Sequence, residues 1–235
     1  MELLVSPRRI SRFIGLVILG LTTASFLMKL VRCLSGIYLS GYRLLDLDAE
    51  QTIPSWYSSS LLLLCAGLLA LIAQAKNRNA DPYRFHWSLL SIIFVGLSID
   101  EAVSIHEEAI GPLRTMFNFS GLLYFNWVIP GMAFVGLFAL LYLKFLFHLP
   151  ATIRRLFFIS AVVYVSGAIG LEMIGGMFWQ ETGPDTLLYQ TTSTLEELFE
   201  MLGIDLFVYA LMSYLAVHLG IRVCFAKEKY SGDLN

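Results

Sequence analysis

Apolar residues in this chain gather into long blocks, and polar residues crowd into the short stretches between them. A membrane span needs roughly 20 apolar residues at 1.5 Å each. Blocks of that length lie near 12–37, 57–75, 83–107, 121–147, 152–178 and 194–219. The pattern predicts an all-α fold: a polytopic membrane bundle of six transmembrane helices. One membrane domain covers 1–235, with a short cytoplasmic tail over 220–235 and the lipid bilayer as its surroundings.

Basic residues set the expected orientation. Arg8, Arg9, Arg12, Lys76, Arg78, Arg84, Lys144, Arg154, Arg155, Arg222, Lys227 and Lys229 fall on one side, and only Arg43 and Arg114 on the other. By the positive-inside rule both termini are expected in the cytoplasm. The first block, ending in Lys29 and Arg32 without a small-residue cleavage site, reads as an uncleaved signal anchor.

Turn chemistry marks the boundaries. Asp81-Pro82 suits the start of the third span, and Gly111-Pro112 its end. Pro130 is expected to kink the fourth span. Gly183-Pro184 breaks the chain before the sixth. Residues 39–56 read as an outer loop with Asp46, Asp48 and Glu50, and Trp56 and Tyr57 lie where an aromatic belt belongs.

Composition agrees with a membrane protein. Of 235 residues, 57% are hydrophobic and 14% charged, with a mean hydropathy of +0.70. A net charge of -2 and the lack of a long basic run argue against a nucleic-acid partner. Cys33, Cys65 and Cys224 are scattered and form no thiolate metal motif.

The chemistry concentrates in Leu97-Ser-Ile-Asp-Glu-Ala-Val-Ser-Ile-His-Glu-Glu-Ala-Ile-Gly111. Ionisable residues at the edge of a hydrocarbon layer mark a functional site by default. With Asp100 at zero on a regular helix, Glu107, Ser104, Glu108 and Glu101 fall within about 100° of it, and His106 lies near 240°, off that face. His106 joins the cluster only if the helix bends or ends there. Glu172 lies on a stripe with Ala161, Val165, Ala168 and Gly176, where small residues would let helices approach. Glu196, Glu197 and Glu200 fall in the first turns of the sixth span. Asp205 points the opposite way, lies deeper and needs its own partner.

Carboxylates this close cannot all stay ionised without cations. A divalent metal pair would bridge them as in carboxylate bundles, protons would be shared, or Lys29, Arg32 and Arg114 would pair with them. The oxygen-rich ligand set of Asp100, Glu101, Glu107, Glu172, Glu197 and Glu200 suits iron or manganese better than zinc. His106 and Glu107 are the acid–base candidates. Asn126, Trp127 and the Pro130 kink are expected in the pocket wall. Ser193-x-x-Glu196 and Thr194-x-x-Glu197 also fit capping boxes. His86, His148 and His218 sit at cytoplasmic helix ends, an alternative three-histidine zinc set like that of ceramidase-type membrane hydrolases. Asn118-Phe119-Ser120 matches a glycosylation sequon.

Ser98-Ile-Asp-Glu…His106-Glu107, Gly170-Leu-Glu172…Gly175-Gly176 and Leu195-Glu-Glu…Glu200-Met-Leu-Gly203 together resemble a family of uncharacterised bacterial multi-pass inner-membrane proteins, over about residues 54–215. The resemblance implies a bacterial inner membrane and supplies no catalytic residue. The expected function is a metal-dependent membrane protein with its carboxylate and histidine cluster on the periplasmic side. It would be an oxidoreductase or hydrolase acting on a lipid or quinone-like lipophilic small molecule. The alternatives are a proton- or cation-coupled small transporter and an assembly subunit of a membrane complex.

Overall fold

The computed structural model describes residues 3–4, 6–37, 39–49, 51–108, 110–116, 119–220 and 224–225. The side chain of Glu107, Asn118 of the sequon and nearly all of the tail lie outside the described residues. Six helices are long and apolar enough to cross a membrane. They are α1 (Pro7–Ser35), α2 (Ile53–Arg78), α3 (Arg84–Val103), α4 (Val128–His148), α5 (Ala151–Thr182) and α6 (Leu187–His218). Besides the helices, Leu3–Leu4 pairs antiparallel with Cys224–Phe225.

Helix α6 is the axis of the bundle and packs against α1, α2 and α5, and α2 and α3 form a tight antiparallel pair. In its most apolar stretch 61% of α6 is buried, against 17% for α3 and for α4. The peripheral helices turn Leu89, Ile92, Leu137 and Leu140 outward. In a membrane those faces meet lipid tails, so their exposure carries no hydrophobic penalty.

Without a hydrophobic driving force between helices, close approach and polar clasps hold such a bundle. Gly203 of α6 lies so near α5 that a β-carbon there would stand 2.7 Å from the Tyr164 backbone nitrogen. Gly167 of α5 is as close to α6, 2.7 Å from the Glu196 carbonyl. The Ser160 hydroxyl donates to the Gly203 carbonyl at 2.9 Å. Between α2 and α3, Ser98 donates to the Ser59 carbonyl at 2.9 Å, and Ser59 donates to the Ser98 carbonyl at 2.8 Å.

Several expected boundaries shift. Pro130 falls in the first turn of α4, where a missing N–H costs nothing, so it does not kink the helix. Pro82 lies in the turn before α3, and the Asp81 carboxylate accepts the Tyr83 N–H at 2.8 Å. Gly111-Pro112 lies inside a short helix, Ile110–Met116, instead of ending one. Gly183, at φ 85°, does break the chain before α6. Helix α6 then starts at Leu187, capped by the Thr186 hydroxyl on the Tyr189 N–H. Ser193 and Thr194 are therefore a full turn or more inside the helix and cap nothing, and Glu196 and Glu197 are released from the capping reading.

Candidate functional site: an acid-headed cavity between α3, α4, α5 and α6

The third span ends earlier than its apolar pattern suggests. Ser104 adopts a left-handed conformation (φ 50°, ψ 50°), and its N–H closes on the Asp100 carbonyl at 2.6 Å. The chain reverses into a short helix, Ile105–Glu108. This break brings His106 back over the end of α3. Its backbone N–H donates to Asp100 Oδ1 at 3.0 Å, and its Nδ1 lies 2.9 Å from Asp100 Oδ2. One carboxylate thus fixes both the backbone and the ring of His106. The continuous polar face expected through Glu107 and Glu108 does not exist, because the helix carrying it stops at Val103. Glu108 is exposed.

From His106 the contacts continue to α5. The His106 ring rests on Trp127, with centroids 4.7 Å apart, and the Trp127 indole N–H donates to Glu172 Oε1 at 2.7 Å. Glu172 follows a π-helical segment, Ser166–Leu171, inside α5. A π-turn inserts extra helical rotation and recurs at functional sites. The small-residue stripe accordingly plays a different part from the expected one. Ala161, Val165 and Ala168 line a cavity, while Gly167 makes the close approach to α6. The missing side chain at Gly175 leaves room for Glu196, whose Oε2 would lie 3.9 Å from a β-carbon there. Glu196 and Glu172 line the same end of the cavity. Glu197 interacts electrostatically with Glu101 and Glu200, and Glu200 with Glu101 and His106.

These groups share a cavity of about 1080 Å³. Asp100, Glu101, Glu172, Glu196, Glu197 and Glu200 are each only partly accessible, and their accessible surface faces this cavity. Its long walls are apolar, with Phe94 and Leu97 from α3, Phe134 and Phe138 from α4, and Phe158 and Val165 from α5. Toward the far end Tyr142 donates to the His86 carbonyl at 3.0 Å. Trp127 lines the acid end, as expected. Asn126 beside it is buried.

A residue not singled out from the sequence also reaches the cavity. The loop after α1 tucks inward, burying Leu47, whose N–H donates to the Ser25 hydroxyl at 3.1 Å. Asp48 thereby meets Tyr189, whose hydroxyl lies 3.0 and 3.1 Å from its two oxygens. Burial pushes the Asp48 carboxyl up to about 6, against the smaller opposing pull of Lys29. A polar loop carries no pattern that would announce such a fold-back; the nearest signal is the apolar Leu47 between two aspartates.

The expected basic partners serve other acids. Lys29, only 1% exposed, sits 3.2 Å from Asp46 and donates to Ser193 at 3.2 Å. Arg32 pairs with Asp185. Arg114 lines the cavity and is held by Tyr124, with its guanidinium 4.0 Å from that ring and donating to the Tyr124 carbonyl at 3.1 Å. Asp205 has the separate partner it required: the Ser11 hydroxyl donates to its Oδ2 at 3.1 Å.

A divalent metal was the first expectation for these acids. Among the described residues, no three His, Cys, Asp or Glu side chains are placed to hold an ion together. The described residues therefore do not fit a shared metal. The three distal histidines do not form a metal set either. His86 and His148 lie around the Tyr83 ring, with centroids 5.1 and 4.6 Å from it, and His218 lies against Tyr214.

Fold and cavity define a multi-pass helical membrane protein whose bundle holds a largely apolar cavity with an acidic end. The chain belongs to the family described as domain of unknown function DUF8692, whose model matches residues 13–215. No curated protein and no solved structure matches it.

Proposed function

We propose that this protein takes a lipophilic molecule into the cavity between α3, α4, α5 and α6 and acts on its polar end by proton transfer. The observation that carries this reading is the cavity's division: acids and His106 at one end, apolar walls along the rest. A substrate drawn from a bilayer needs both parts, since its tail must stay in an apolar lining while its head meets polar groups.

His106 is the acid–base group in this reading, and Asp100 its positioning partner. The Asp100 carboxylate, 2.9 Å from Nδ1, fixes the orientation of a ring that lines the cavity, the arrangement that suits an imidazole to proton exchange with a bound substrate. Glu172, held by the Trp127 indole N–H at 2.7 Å, and Glu196 complete the polar end that meets the substrate head. The residues themselves then supply the proton traffic, with no step routed through a metal. The lysine and arginine distribution supports reading the acid end as periplasmic, and the family resemblance supports a bacterial inner membrane.

The test compares membranes carrying wild-type protein with membranes carrying His106→Gln or Ala161→Trp. Native mass spectrometry reads bound lipid, and untargeted lipid analysis reads turnover. The expected result is a lipid bound by wild type and His106→Gln, lost from the cavity-filling Ala161→Trp, and converted only by wild type. Absence of any bound amphiphile in wild type overturns the reading. Proton flux in proteoliposomes, sensitive to Glu172→Gln, would then favour the coupled-carrier alternative.

A further inference from the structure

We propose that the molecule bound in this cavity carries an ammonium head, primary or quaternary, on a long apolar tail. The inference rests on reading the cavity as a lipid site and adds the chemistry of the head group.

The first support is the wall around the acid end. Trp127, Tyr124, Phe125, Trp179 and Tyr189 all line the cavity there. They touch in sequence: Tyr124 with Phe125 at 5.4 Å, Phe125 with Trp179 at 5.9 Å, and Trp179 with Tyr189 at 4.9 Å between centroids. Aromatic faces attract cations, and enclosed aromatic cages are the recurring site for alkylated ammonium groups. This wall already holds one cation in that way, the Arg114 guanidinium over Tyr124.

The second support is charge balance. Asp48, Asp100, Glu101, Glu172, Glu196, Glu197 and Glu200 line the cavity, against His106 and Arg114 among the basic residues. Lys29 lies outside the lining, paired with Asp46, and offsets part of this excess through its pull on Asp48, leaving acids in the majority. An anionic head would enter against this excess, and a neutral head would leave it unchanged. An ammonium head relieves it. Uncompensated carboxylates away from bulk water are costly, so relief there is a source of selectivity.

The tail has room. The cavity lining runs from Trp127 to Phe145 along α4, about 27 Å at 1.5 Å per residue. That approaches the roughly 30 Å of a hydrocarbon core. A single long chain fits such a slot better than a short, compact molecule.

The experiment uses the full chain in maltoside detergent and four probes with one hexadecyl tail: trimethylammonium, primary amine, alcohol and sulfate. Binding is read by quenching of tryptophan fluorescence and by thermal shift, with Ala161→Trp subtracting non-specific partition. The two cationic probes should bind at least about tenfold tighter than the alcohol or the sulfate. Trp179→Leu should lose most of that preference while keeping the affinity for the alcohol, which also shows that the variant is folded. Equal binding of all four heads, or preference for the sulfate, overturns the ammonium assignment and leaves the lipid cavity standing. Failure of all four to bind removes both.

Discussion

Asp100 holds His106 twice, accepting its backbone N–H at 3.0 Å and lying 2.9 Å from its ring Nδ1. This double contact is made possible by Ser104, whose left-handed backbone turns the chain back on the end of α3. Because the carboxylate staples the reversal, its loss should be felt in the backbone and in the ring. Asp100→Ala is expected to raise amide hydrogen exchange over residues 104–108 by at least about tenfold, with the body of α3 unchanged. Ser104→Gly should leave the turn intact, since glycine tolerates positive φ, whereas Ser104→Val should mimic Asp100→Ala. Unchanged exchange in Asp100→Ala would show that the short helix is held by other contacts.

The approach of α5 to α6 leaves no space for a methyl group. At Gly203 the obstruction is the Tyr164 backbone, and at Gly167 it is the Glu196 carbonyl, so neither can swing aside. Gly203→Ala and Gly167→Ala should each cost about 1–3 kcal/mol in thermal or denaturant unfolding in detergent. Gly96→Ala and Gly136→Ala, where nothing lies within 4 Å, should be neutral or slightly stabilising. Gly167→Ala should also disturb the chamber, because it would press on the Glu200 side chain at 3.0 Å.

How far the chamber could be read from the sequence follows from which signals are periodic. The helical period and the turn residues placed Asp100, Glu101, Glu172, Glu197 and Glu200 in three helices, and the cavity brings those helices together. The same period puts His106 off the polar face unless the helix breaks, and Ser104-Ile105 carries no glycine, proline or asparagine to announce that break. Helix α6 starts at Leu187, ahead of the apolar block near 194–219, because the polar Gln190, Thr191, Thr192 and Ser193 interrupt the apolar pattern although they are buried or half-buried inside the helix. The π-segment has no composition of its own. Asp48 was hidden for a different reason: its position depends on a loop folding inward, a tertiary choice with no local pattern.

Lys29 is the most deeply buried cation in the described structure, and Asp46 is its ion-pair partner. Removing one member of such a pair strands the other, at a typical cost of about 3–5 kcal/mol. Lys29→Met and Asp46→Leu should each destabilise on that scale, and the double variant should recover most of the loss. The loop should also detach in the single variants. A cysteine at Leu47, buried in the parent, should react with a water-soluble maleimide only when the pair is broken. Additive losses in the double variant would show that the two groups are stabilised independently.

Asp48 gives the chamber a pH dependence whose sign is fixed by burial. Its carboxyl is pushed up to about 6 from 3.8; burial, Asp46 and Glu172 raise it, while Lys29 and the Tyr189 hydroxyl pull it down. The folded protein therefore holds this proton more tightly than the unfolded chain does. The stability Asp48 contributes is fully present below about pH 4 and is lost as pH rises through about 6, the reverse of a salt-bridged carboxylate. Asparagine keeps an oxygen for the Tyr189 hydroxyl and cannot ionise. Asp48→Asn should thus match wild type near pH 4 and be the more stable of the two at pH 7.5, with its unfolding midpoint flatter across that interval. The measurement is thermal unfolding in detergent at several pH values for both proteins. A wild-type advantage that grows with pH would mean that Lys29 and Tyr189 stabilise the anion more than burial opposes it.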